Sequence, residues 1–353
     1  MTRPPTTLLT HKQSRPLGQI NHLTKTIHRM KFLLPLALAF ALLTPPSPAA
    51  DAPAKPPLKI IPGQVIIPTQ PGTMRRPWGE LISLDLATRT GKFRNESDDT
   101  IMSFTVLPYA ELLHHAASGD LQDFRVGERA IFRLHENDRG EWTWLTYIQD
   151  EMNMLNGHKE YFYVDRIDTA KRTLDCTWAN FDKSFIRQTN VIIETDSETR
   201  YWKAAAPAKF SDLQPGDKIR TKTHGIGRGK TRVAWEIFLD DASLLKFQAE
   251  QKALHTARIL KDGAPGYVDG NAADELRLTL FNEGSEIAKQ LKAGKSIRVA
   301  PAGVDRKPTT APIPGTVTAA ITKGRECKVT VRLATSEGRF QPAGLARLWL
   351  VSE

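Results

Sequence analysis

From residue 77 onward, hydrophobic and polar residues alternate in short runs broken by Gly, Asp and Asn. Ala130, Phe132 and Leu134 alternate with Ile131, Arg133 and His135. Trp142, Trp144, Thr146 and Ile148 alternate with Glu141, Thr143, Leu145 and Tyr147. Leu276–Leu280, Ser296–Ala300 and Val329–Leu333 follow the same rule. A period of two with turn residues between runs predicts half-buried antiparallel strands. Helical periodicity is rare. Asp241 is placed to cap a helix from Ala242 to about Lys261, stopped by Gly263 and Pro265. Its apolar stripe (Leu244, Phe247, Leu254, Ala257) should brace the segments on either side. Asp150 can cap a shorter helix over 151–156, ended by Gly157.

The strand pattern repeats. Phe124-Arg-Val-Gly127-Glu-Arg-Ala130 resembles Leu213-Gln-Pro-Gly216-Asp-Lys-Ile219, and both resemble Leu291-Lys-Ala-Gly294-Lys-Ser-Ile297. In each, a Gly supplies the backbone freedom of a tight turn just before a strand. Downstream, Trp144-Leu-Thr-Tyr147-Ile148 has the form of Trp235-Glu-Ile-Phe238-Leu239, 17 and 19 residues after the turn Gly. This alignment equates Trp144 with Trp235 and makes both core residues. Units of this size with several short strands suit small closed barrels, which have no exposed edges. The expected layout is a unit over 77–157, a second over 158–240, a connecting helix over 241–262 and a shorter β-rich unit over 263–353.

Charge changes the picture at the N-terminus. The formal net charge is +10, but residues 1–50 hold six Lys or Arg and no acid, leaving about +4 for the rest. Met30-Lys31 precedes a run of twelve mostly apolar residues, 32–43, and then Thr44-Pro-Pro-Ser-Pro-Ala-Ala50. That order describes a secretory signal peptide over 30–50. Residues 1–29 then lie upstream of the true start, and the Pro-rich stretch 51–76 is an extended linker. The expected location is periplasmic or extracellular, with no membrane span in the mature chain. An oxidising compartment permits a bridge between Cys176 and Cys327. Yet Leu174, Cys176 and Trp178 alternate like an inward strand face, where Cys serves as a small hydrophobe.

Candidate chemistry is sparse. The adjacent pair His114-His115 falls near Trp202-Lys203 of the second unit, which suits a packed loop better than a metal ligand. His158-Lys-Glu160 has a His-x-Glu spacing without the Cys partners of a zinc deaminase. Gly225-x-Gly227-x-Gly229 reads as a hairpin loop rather than a phosphate cradle. Asp182, Glu194, Asp196 and Glu198 could supply an acid–base pair, although nothing in the spacing brings them together. No three of the six His residues beyond residue 50 and their neighbouring acids are expected to meet. Were a site to form, the seam between the first two units, near His158 and Glu160, would hold it. The surface candidates are Trp202 for stacking and the basic groups Lys218, Arg220, Lys222, Arg228, Lys230 and Arg232, which could bind a polyanion such as an acidic glycan.

The repeated turn with its following strands resembles exported bacterial proteins built of small β-barrel repeats similar to oligonucleotide-binding folds. The resemblance covers about residues 77–241 and, weakly, the third unit. It implies no activity, cofactor, metal or catalytic residue. The reading is therefore a mainly β chain of tandem small antiparallel barrels with a connecting helix. The expected function is a non-catalytic binding or scaffold protein of the cell envelope, its partner an acidic glycan or an envelope protein. Nucleic acid is not an expected partner of an exported chain. A hydrolase or carbohydrate-active enzyme with a site between units, and a polyanion-binding barrel, are the alternatives.

Overall fold

Three closed β-barrels follow one another along the chain and share one long helix. The computed structural model describes residues 74–351 except 138, 226–230, 325 and 336–337. Residues 1–73, which include the stretches read as leader, signal peptide and most of the Pro-rich linker, lie outside the described residues. So do Arg228, Lys230, Gly227 and Gly229. The described residues belong to one compact unit.

Barrel one is built from β1 (Met74–Arg75), β2 (Trp78–Asp85), β3 (Thr90–Asn95), β4 (Ile101–His114), β5 (Ala117–Ser118), β6 (Arg129–Glu136) and β7 (Trp142–Asp150). Strand β2 pairs with β3, β3 with β4, β4 with β7, β7 with β6, and β6 returns to β2. Four of these five pairings are antiparallel, but β4 and β7 run parallel. The fourteen-residue β4 can serve both neighbours because its register breaks between Val106 and Glu111, at Pro108, which has no N–H to donate. Its core centres on Phe93 and Phe132, stacked 4.0 Å apart with Phe104 against them.

Helix α1 (Glu151–His158), capped by Asp150, leads into barrel two. Its strands are β8 (Glu160–Asp168), β9 (Thr173–Asn180), β10 (Ile186–Glu194), β11 (Arg200–Lys203), β12 (Ala206–Ala208), β13 (Lys218–His224) and β14 (Arg232–Phe238). The pairing order repeats that of barrel one, and β14 again runs parallel to its third-strand partners, here β10 and β11. The long third strand is here split into β10 and β11. Cys176 lies in this core, whereas Cys327 lies in that of barrel three, and both are free thiols.

The turn glycines take the same place in both barrels. Gly127 and Gly216 have φ of 91° and 95°. Each exchanges a pair of backbone hydrogen bonds with the first strand: Gly127 and Glu128 with Leu81, Gly216 and Asp217 with Val164. The equivalence of Trp144 with Trp235 fails. Between Arg133 and Leu134 the β6–β7 register slips by a residue at Thr146, and the β13–β14 register slips likewise at Trp235. A one-residue bulge reverses which side chains face inward. Leu145 and Ile148 therefore enter the core of barrel one, as Ala234 and Ile237 do in barrel two, and both tryptophans are half-buried outside it. By the ladders, Leu112 opposite Ile148 matches Tyr201 opposite Ile237.

Helix α2 (Asp241–Asp262) is capped by Asp240, one residue earlier than its sequence suggested, because Asp240 accepts from Ser243 N. It braces all three barrels rather than two. Gln248 and Gln251 bond barrel one, Phe247 packs on Trp202 and Phe238 of barrel two, and Ile259 enters the core of barrel three. No helix among the described residues is long and apolar enough to cross a membrane.

Barrel three comprises β15 (Ala264–Ala272), β16 (Glu275–Leu280), the short α3 (Ser285–Ala288), β17 (Ser296–Ala302), β18 (Ile313–Lys323), β19 (Glu326–Leu333) and β20 (Leu345–Leu350). It closes in the order β15-β16-β19-β18-β17-β20, all antiparallel. That order differs from the other barrels and is two-fold: β15, β16 and β17 exchange places with β18, β19 and β20. Pro265-Gly266-x-Val268 recurs as Pro314-Gly315-x-Val317. Gly294 and Lys295 exchange bonds with Val317, and Ala343 and Gly344 exchange them with Val268. The third unit thus shares the turn but is itself a duplicated half-barrel.

Candidate functional site

Strand β4 ends in a two-residue turn, His115 and Ala116, with φ of 47° and 61°. Such turns join hairpins tightly. This one turns both imidazoles into the seam between barrels one and two. Glu128 follows the turn Gly127, Asp150 ends β7, and Lys222 and Glu236 reach in from β13 and β14. These six side chains are between 0 and 14% exposed. Lys222 Nζ stands at the centre. It lies 2.7 Å from Glu128 Oε1, 2.9 Å from His114 Nε2, 3.4 Å from His115 Nε2 and 3.6 Å from Asp150 Oδ2. His115 Nε2 is 3.4 Å from Glu236 Oε2, and the other oxygen of that carboxylate, Oε1, pairs with Arg200. Asp150 accepts from the backbone N–H of His115 and of Asn153, so one carboxylate anchors both the turn and α1. Gln251 of α2 closes the cluster at His114 Nδ1, 3.1 Å away.

The expectation that no three such groups meet is therefore overturned. The seam is the right place, but His114 and His115 fill it. His158 is about half exposed, and Glu160 is a structural acid held by Arg187 and Trp178 Nε1.

Electrostatics follow from burial against pairing. Burial works against a charged Lys222, but Glu128, Asp150 and Glu236 outweigh it and raise its pKa. Burial likewise works against an ionised Glu128, and Lys222 and His114 overcome it, lowering its pKa. His114 is opposed by burial and by Lys222, yet Glu128 and Asp150 leave its pKa raised. His115 has its pKa lowered by burial and then by Lys222.

His114, His115 and Asp150 offer ligand atoms within 4.8 Å of one another, a donor set zinc accepts. The residues as placed do not fit a metal. The imidazole nitrogens that would bind it face the Lys222 ammonium, so the protein supplies the cation itself. An ammonium ringed by carboxylates and imidazoles, all deeply buried, ties strands of two barrels together. It presents no nucleophile or free base to solvent.

The basic surface candidates divide. Lys218 is exposed and lies over Phe181. Lys222 and Arg220 are not surface groups. Arg220 is buried over the Tyr161 ring, paired with Asp241 and donating to the Glu160 carbonyl. Arg232 is half-buried against Trp178. The strand alternation of Lys218, Arg220 and Lys222 marks one face correctly, but barrel one and α2 cover most of that face. Trp202 packs edge-on against Phe247 rather than standing free. Asp182 and Asp196 hold their own turns, and Glu194 bonds Thr231. A second buried pair, Arg129 with Glu151, lies beside the seam, where Glu151 also accepts from Thr223 N and Oγ1.

A cavity of about 530 Å³ lies elsewhere, between barrel one, α2 and barrel three, lined by Asp120, His255, Arg258, Glu283, Arg306 and Arg347 among others. The sequence signalled none of it, since its residues come from three separate stretches. Compared with known protein families and with curated proteins, the sequence matches none. Both sites are thus read from their own chemistry.

Proposed function

We propose that the chain is a non-catalytic exported binding and scaffold protein of the cell envelope, a frame of three barrels locked together. The observation that carries this reading is the Lys222 ammonium inside the cluster where the histidines converge. A catalytic centre needs a base or nucleophile within reach of a substrate. In that cluster each candidate base already faces an internal cation and is shut from solvent. Helix α2, bonded to every barrel, supports the same reading. The signal-peptide pattern over 30–50 and the resemblance to exported barrel-repeat proteins support the envelope location.

The test has two arms. Chromogenic glycosides, esters and phosphoesters are incubated with the purified full chain, with and without added zinc; no turnover is expected. Turnover that His114→Gln abolishes would overturn the non-catalytic reading. A fusion to alkaline phosphatase, active only outside the cytoplasm, should be active and should lose activity when residues 30–50 are deleted. Equal activity of both fusions would overturn export.

A further inference from the structure

The cavity between barrel one, α2 and barrel three holds buried donors without acceptors. His255 of α2 is 6% exposed, and neither ring nitrogen has a hydrogen-bond partner among the described residues. Arg306 is 3% exposed, and its Nε is likewise unpartnered. Buried polar groups are nearly always satisfied; these atoms are covered on the cavity side as well, so an acceptor in the cavity would meet them once the wall side chains shift. Arg347 donates to the carbonyls of Arg306 and Gly263, and the carboxylates that act on it, Asp120, Asp262 and Asp305, do so from beyond ion-pair distance. Behind the wall, Arg89 shares Asp120 with Arg306. At short range Asp120 and Glu283 hold Arg89 and Arg306, while Asp262 and Asp305 act on Arg347 from further away. Burial presses the Arg306 pKa down to about 9; Asp120 opposes this, while Arg89 and Arg347 add to it.

The remaining wall is of opposite character. Asp262 and Asp305 line the cavity beside Glu283. Carboxylates accept hydrogen bonds from hydroxyls, and a planar guanidinium fork suits a carboxylate or phosphoryl group. The volume is that of ordinary small-molecule sites, roughly 300–1,000 Å³. Lys307 stands nearby, its side chain 81% exposed.

We propose that this cavity binds an acidic sugar, its oxyanion against Arg306, Arg347 and His255 and its hydroxyls toward Asp262, Glu283 and Asp305. The proposal deepens the binding role above and rests on it only in being non-catalytic. Its oxyanion can be a carboxylate or a phosphoryl group, which two probes distinguish.

Isothermal titration calorimetry on the full chain at pH 7 would compare D-glucuronate, D-glucose 6-phosphate and D-glucose. Saturable one-to-one binding of at least one acid is expected, about tenfold or more tighter than glucose. The acid that binds names the oxyanion. Lys307→Glu should weaken that binding about fivefold or more, whereas Lys171→Glu, the same charge change on an exposed residue of barrel two, should leave it unchanged. Circular dichroism confirms that each variant is folded. If neither acid outbinds glucose, the proposal is wrong. If Lys171→Glu weakens binding as much as Lys307→Glu, long-range attraction accounts for it and the cavity is excluded. Either result leaves the locked frame standing. Consumption of the bound sugar would instead overturn the non-catalytic reading and leave the cavity in place.

Discussion

Replacing Lys222 with Met keeps most of the apolar stem of the side chain and removes its ammonium group, with that group's charge and hydrogen bonds. In the native protein that ammonium lies within 3.6 Å of two carboxylates and two imidazoles, with 5% of the side chain exposed. Without it Glu128 retains His114 as a counter-charge 3.6 Å away, and Asp150 keeps its backbone donors. Breaking one side of a buried ion cluster costs about 3–5 kcal/mol, because a charge is left desolvated. A domain stable by roughly 5–15 kcal/mol survives that loss, so it can be read by urea titration followed by tryptophan fluorescence. The pH dependence sharpens the test. With Lys222 present the Glu128 pKa is lowered, so Glu128 adds stability above its unfolded value and loses it as pH falls. In the variant the Lys222 charge that lowers it is gone while burial still raises it, so the Glu128 pKa lies higher than in the native protein. The folded variant then takes up a proton more readily, and its deficit should narrow from pH 7 toward pH 5. Adding Glu128→Gln to Lys222→Met should recover much of the loss, since a matched neutral pair leaves no buried charge. A loss below about 1 kcal/mol that is constant with pH and unaltered by Glu128→Gln would refute the reasoning.

The raised His114 pKa makes its contribution to stability full below about pH 6.5 and lost as pH rises through the folded value, so His114→Gln should flatten that decline in urea titrations. Phe132→Ala, at 0% exposure and stacked on Phe93, should cost about 3–5 kcal/mol, and half-buried Trp144→Ala clearly less; equal costs would contradict the bulge at Thr146. Burial pushes the Cys176 thiol up to about 12, so a thiol reagent should label it only on unfolding, and rapid labelling of the native protein would count against its core position. Sequencing of secreted protein should find its N-terminus between residues 49 and 55, and an intact Met1 would contradict the signal peptide.

What the sequence made legible was what a local pattern can carry. The turn glycines stood out because positive φ restricts the residue choice at Gly127 and Gly216. The period of two revealed the strands, and the stop at Gly263 revealed the end of α2. The error over Trp144 came from one extra residue at Thr146, which reverses an alternation without changing composition. The duplication in barrel three escaped because its signature is only Pro-Gly-x-Val and a turn that uses Ala343, rather than Gly, at φ 66°. The Lys222 cluster was hidden for a different reason. His114, Glu128, Asp150, Lys222 and Glu236 are far apart in sequence, and a lysine alternating on a strand looks solvated until the neighbouring barrel covers it. The same holds for the cavity, where only the fold brings His255 and Arg306 together.

Locking three barrels through α2 and buried ion pairs makes a direct calorimetric claim. Differential scanning calorimetry of the mature chain should show one transition, with calorimetric and van't Hoff enthalpies equal. Two or three resolved transitions, or a van't Hoff enthalpy clearly below the calorimetric one (about a third of it for three similar barrels), would mean that the barrels melt separately and the frame is not locked.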